Sequence, residues 1–86
     1  MKKAWGYYHN NTWVGSYTAP SDGAAILFIN NYAANDARCG IYLLSLSLYP
    51  CCVAIKQAEG VTVSVSARTV TVTTTEAYIG ANLYTV

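Results

Sequence analysis

The sequence predicts an all-β protein, a small antiparallel β-sandwich of about seven or eight short strands. Three observations lead there. From Gly60 to Thr75, Val alternates with Ser or Thr, the period-two pattern of a half-buried pleated strand. Turn-forming residues recur about every 8–12 positions, the spacing of sandwiches and small barrels. No stretch carries a sustained helical period. With 86 residues the chain makes one domain, residues 1–86, made of an N-terminal aromatic hairpin (4–18) and a core sheet (24–86).

Residues 4–18 read as a hairpin, because Asn10-Asn11 tolerate positive φ and suit a type I′ turn. That register sets Tyr8 against Trp13, Gly6 against Gly15 and Trp5 against Ser16. One face would carry Trp5, Tyr7 and Val14. The other would carry Tyr8, Trp13 and Tyr17 around a slot made by the paired glycines. Pro20-Ser21-Asp22-Gly23 is a turn, with Pro pre-setting φ and Gly accepting the remaining angles. The apolar run Ala24–Ile29 is a strand expected to be covered on both faces. Residues 30–38 form a polar loop with room for one helical turn. Gly40–Tyr49 is a second strand, alternating in its C-terminal half and ended by Pro50, which cannot donate to a ladder. Cys52–Lys56 reads as a short strand, and Gln57–Gly60 as a turn.

The hairpin that follows sets its own register. With the reversal at Ala67-Arg68, Val65 faces Val70 and Val63 faces Val72. All four valines then share one face, and Ser64, Ser66, Thr69, Thr71 and Thr73 share the other. A slip of one residue would scatter that face. Tyr78–Val86 is a last strand, apolar to its end and expected to be tied down in a sheet.

Composition narrows the function. Apolar residues make up 53% of the chain and charged residues 10%, against roughly 25% charged in an ordinary soluble domain. Large apolar surfaces mark interfaces, so self-association is expected. The net charge is +1 and the basic residues, apart from the pair Lys2-Lys3 at the start, are scattered, which argues against a nucleic-acid partner. The longest apolar runs fall far short of the roughly 20 residues that span a bilayer, so no membrane insertion is expected. Met1-Lys2-Lys3 is followed by no apolar segment, and no signal peptide is read.

Three cysteines, Cys39, Cys51 and Cys52, are an odd count with two adjacent, a poor disulfide framework. Buried free thiols are expected. The single histidine, His9, stands beside a turn and has no acidic or thiol partner at a catalytic or metal-binding spacing. No catalytic residue, metal or cofactor is therefore expected. The binding candidates are Tyr8, Trp13 and Tyr17 with Gly6 and Gly15, since flat rings beside a groove stack on sugars. Residues 30–38 are a second candidate.

The strand Gly40-Ile-Tyr-Leu-Leu44, the Val/Thr hairpin from Gly60 and the closing Ala81-Asn-Leu-Tyr-Thr-Val86 together resemble the distal β-domains of phage tail fibres and related receptor-binding proteins. The resemblance covers roughly residues 24–86. It implies a short β-sandwich, usually trimeric, ending in a packed final strand. The expected function is then that of a non-enzymatic structural or receptor-binding module recognising a cell-surface glycan or protein. Its partners would be copies of itself, a surface glycan and other particle proteins. It would be made in the bacterial cytoplasm and incorporated into a phage particle. The alternative is a stand-alone, lectin-like carbohydrate-binding domain.

Overall fold

A computed structural model describes residues 1–86. Eight strands form two antiparallel sheets: β1 (Lys2–His9), β2 (Val14–Thr18), β3 (Gly23–Asn31), β4 (Gly40–Leu46), β5 (Cys51–Lys56), β6 (Val61–Ser66), β7 (Thr69–Thr74) and β8 (Ile79–Thr85). The larger sheet has the order β1-β8-β3-β4-β5 and the smaller one β2-β7-β6. One 3-10 turn, Asp36–Arg38, sits between β3 and β4. The sandwich is all-β, as the alternation and turn spacing predict.

The valine hairpin forms in the expected register: Val63 opposes Val72 and Val65 opposes Val70. Its turn places Ala67 at φ 49, a left-handed conformation that a side chain adopts only at some strain. Val61, Val70 and Val72 are buried, with Val63 and Val65 packed against the core. The hydroxyl face points outward, where the Thr18 and Thr69 hydroxyls share a hydrogen bond of 2.8 Å.

Residues 4–18 do not form the expected hairpin. β1 pairs with β8 in the larger sheet, and β2 pairs with β7 in the smaller. The chain changes sheets at Asn10–Trp13, and the returning chain changes sheets beside it between β7 and β8. Pairing carries through this corner: Lys2 faces Thr85, His9 faces Ile79, Val14 faces Thr73 and Thr18 faces Thr69. Corners of this kind let one strand serve two sheets. Trp13 pins it. Its N–H donates to Thr74 Oγ1 at 2.8 Å, its carbonyl accepts from the Thr74 N–H at 2.9 Å, and its indole Nε1 donates to the Ile79 carbonyl at 2.8 Å.

The physical reason is one of parity. A two-residue turn pairs odd positions with even ones and would divide the rings between two faces. Changing sheets puts Trp5, Tyr7, Trp13 and Tyr17 on one side, where Trp13 is buried, Trp5 and Tyr17 are partly buried, and Tyr7 stays exposed against Trp13. Trp13 then packs edge-on against Tyr7 and Trp5, with ring centroids 4.9 and 6.4 Å away. The gain is burial of large apolar surface, about 25 cal/mol for each Å² removed from water.

The interior is completed by Ala25, Leu27 and Ile29 of β3, Tyr42, Leu44 and Leu46 of β4, and Ile79, Ala81 and Leu83 of β8. The Tyr42 hydroxyl, buried with them, accepts from the Ala58 N–H at 2.8 Å. Two expectations need revision here. Residues 24–86 do not make one sheet, since β6 and β7 belong to the smaller layer. Nor is the apolar run of β3 covered on both sides: Ile26 and Phe28 stay half-exposed on the outer face of the larger sheet. The last strand is held centrally, between β1 and β3.

Candidate functional site

The five residues predicted to form one ligand face lie in three separate places. Trp13, only 7% exposed, is part of the core. Gly15 faces the same interior, where a Cβ would come within 3.1 Å of both the Trp13 and Trp5 rings. It makes room for indoles, and it forms no slot with Gly6: Gly15 opposes Val72 while Gly6 opposes Asn82. Tyr17 lines a cleft of about 410 Å³ at the end where the sheets part. That cleft is the largest concavity, yet Tyr17 is its only ring, and its one acid, Asp22, is held by Arg68 at 2.7 Å.

Tyr8 and Gly6 lie on the outer face of the larger sheet, and there they meet residues far away in sequence. The register sets out three rows on β1, β8 and β3: Tyr8, Gly80 and Asn30; then Gly6, Asn82 and Phe28; then Lys3, Tyr84 and Ile26. Gly6 and Gly80 leave the floor of this area low. Tyr32 leans over Gly80, with Cε2 3.0 Å from where a Cβ would stand, and meets Tyr8 edge-on at 4.9 Å and 84°. Both rings are open to solvent, Tyr8 at 46% and Tyr32 at 63%. Asn82 Nδ2 donates to Asn30 Oδ1 at 2.9 Å, so the two amides form a fixed, half-buried pair. Beyond them Phe28 and Tyr84 make a second edge-on aromatic pair at 5.8 Å. Two shallow grooves, of about 230 and 300 Å³, meet at Asn82.

The loop that presents Tyr32 is built to hold it. Asn31 Oδ1 accepts from the Ala33 and Asn35 N–H groups at 2.9 and 3.0 Å, and the Tyr32 N–H donates to the Tyr78 carbonyl at 2.9 Å. Tyr78 itself sits at φ 63, a strained conformation for an aromatic residue and one that surrounding structure must maintain. Asn31 Nδ2 is buried with no partner, the only such side-chain atom.

Lys3 reaches this face because of a β-bulge. The register shifts between Lys3 and Trp5, leaving Ala4 unpaired. Plain alternation would point Lys3 inward with Trp5 and Tyr7. The extra residue turns it outward instead, a common use of bulges, and its Nζ would stand 3.1 Å from a Cβ on Gly6.

The remaining reactive groups lie elsewhere. His9 Nδ1 accepts from the Asn11 N–H at 3.0 Å in the exposed turn. All three cysteines are free thiols, and none is fully buried; Cys51 is exposed. Partial burial, with a smaller contribution from Cys51, pushes the Cys52 thiol pKa up, making that sulfur a poorer nucleophile. Compared with family models, with curated proteins and with solved structures, the chain matches none.

Tyr8, Gly6 and the segment 30–38, with Asn30 and Tyr32, are legible in the sequence as candidates, whereas Gly80, Asn82 and Lys3 are not. A usable signal was the parity of the rings at positions 5, 7, 13 and 17. It places Tyr8 alone on the opposite face.

Proposed function

We propose that this chain is a non-enzymatic binding module, working as a homo-oligomer, that holds a surface glycan or a similarly polar protein surface against the outer face of its larger sheet. One observation carries the reading: the Tyr8–Tyr32 pair stands over Gly80 beside the joined Asn30 and Asn82 amides, uncovered by any other element. A sugar ring offers apolar C–H faces and a rim of hydroxyls. Exposed rings suit the first, and amide donors and acceptors the second.

Self-association is supported by the composition and by one sheet edge. β5, paired to β4 on one side only, presents Val53 and Ile55 at 51% and 62% exposure beside its open edge. Its one charge, Lys56, is turned back to donate to the Asp36 and Cys39 carbonyls at 2.8 and 2.6 Å. Edges normally keep their charges outward against such pairing. The opposite edge, β1, has Lys2, Lys3 and a bulge. A trimer in a phage or prophage particle is the setting that the resemblance of residues 24–86 supports, and a stand-alone lectin-like domain would use the same face.

Titration of a glycan panel tests the reading. Tyr8→Ala and Tyr32→Ala should each weaken binding about three- to tenfold, the worth of one ring contact, and leave the circular dichroism spectrum unchanged because both rings are exposed. Undiminished binding by both variants would remove this face from consideration. Light scattering reads the assembly: a mass of three chains supports the particle setting, and a monomer the stand-alone one.

A further inference from the structure

We infer that the groove between Lys3, Tyr8 and Asn82 selects an anionic saccharide, with the Lys3 ammonium pairing with the sugar's charged group. This rests on the glycan reading of the same face. All four acids, Asp22, Asp36, Glu59 and Glu76, fall between strands, and none of the five strands of the larger sheet contains Asp or Glu. No carboxylate lines either groove of the outer face.

The other cations are mostly engaged. Arg68 pairs with Asp22 at 2.7 Å, Arg38 with Glu76 at 3.1 Å, and Lys56 donates to backbone carbonyls. Lys3 forms no ion pair. The bulge at Ala4 lays its stem along Gly6, with Cε and Nζ 2.9 and 3.1 Å from where a Cβ would stand, on the same surface as Asn82 Oδ1. The groove therefore offers one positive charge, an amide pair and two exposed tyrosine rings. A single ammonium is too little for a polyphosphate backbone, which calls for several cations. It fits a sugar with one carboxylate or sulfate, whose ring the tyrosines cover and whose hydroxyls the amides meet.

The test uses the full chain and a panel of oligosaccharides measured by calorimetry. The panel holds trigalacturonate and 3′-sialyllactose, each beside its methyl ester, together with a sulfated disaccharide and neutral sugars. The esters keep shape and remove charge. At least one acidic or sulfated sugar should bind about five- to tenfold more tightly than its uncharged counterpart, as a partly exposed ion pair allows. Raising the salt should shrink that ratio. Lys3→Gln should bring it near one. Lys2→Gln removes the same charge from the next residue, which lies on the other side of the strand, and should leave the ratio as it was. Preference for the carboxylates or for the sulfated sugar tells which anion is recognised.

Equal binding of acid and ester, or an equal response to Lys2→Gln and Lys3→Gln, would overturn the inference while the glycan reading stood. Binding of neutral sugars alone would do the same. If no sugar in the panel bound, both would fall together.

Discussion

The β6–β7 hairpin and the segment from Lys2 to Thr18 are close in length, and each reverses through a short turn, yet only the first closes on itself. The hairpin has one apolar face, so pairing its two arms and laying that face on the larger sheet satisfies every side chain. The N-terminal segment has rings on what would be both faces of a hairpin. No single layer can bury them. Divided between two sheets and pinned by Trp13 at the corner, the same residues bury Trp13, tuck Trp5 and Tyr17 partly against the core, lay the exposed Tyr7 edge-on against Trp13 and leave Tyr8 on the opposite face. Local pairing thus prevails where apolar groups fall on one side, and tertiary burial overrides it where they fall on two.

Three substitutions probe this contrast. Trp13→Ala should have the largest effect, about 3–5 kcal/mol in urea unfolding, as for removal of a large buried aromatic. If residues 4–18 were an independent hairpin with an exposed Trp13, the loss would be small. Gly15→Val comes next, at about 1–3 kcal/mol, because the added side chain meets both indoles. A plain exposed strand would accept Val readily and hold its melting temperature. The smallest change is in the hairpin turn. Ala67→Gly should raise stability by up to about 1 kcal/mol, since relief of left-handed strain exceeds the added freedom of the unfolded chain. A fall in the thermal midpoint would show that the Ala67 methyl matters more than its φ.

What could be read from the sequence follows from the same contrast. The register of Val63, Val65, Val70 and Val72 is a local matter, decided within sixteen residues, and it was legible to the residue. The all-β class and most strand positions were legible too, because alternation and turn residues are local signals. The partner of β1 was not. It lies at the far end of the chain, and only the parity of Trp5, Tyr7, Trp13 and Tyr17 hints that Asn10-Asn11 is a crossing point between sheets. The candidate site was half legible for the same reason. Tyr8 and the polar loop stand out as residue types, but Asn30, Gly80 and Asn82 become neighbours only through the β3–β8 and β1–β8 ladders. Lys3 reaches them through a bulge at Ala4 that nothing in Lys-Lys-Ala-Trp announces.

The ladder that runs from Lys2–Thr85 through the corner to Thr18–Thr69 also sets how this chain must fold. Lys2 and Thr85 are 83 positions apart, and neither β1 nor β2 has a backbone partner nearer than β7. The consecutive strands β3, β4 and β5 can zip as successive hairpins, and β6 with β7 likewise. The first eighteen residues have nothing to pair with until those elements have formed. Closing so long a loop adds little to the equilibrium cost, about 0.6 kcal/mol for each doubling of length, but it slows the search, and all-β topologies of this kind fold in about milliseconds to seconds. The segment that carries Lys3 and Tyr8 is thus expected to be the last to settle, so the binding face is completed only when the whole chain is in place.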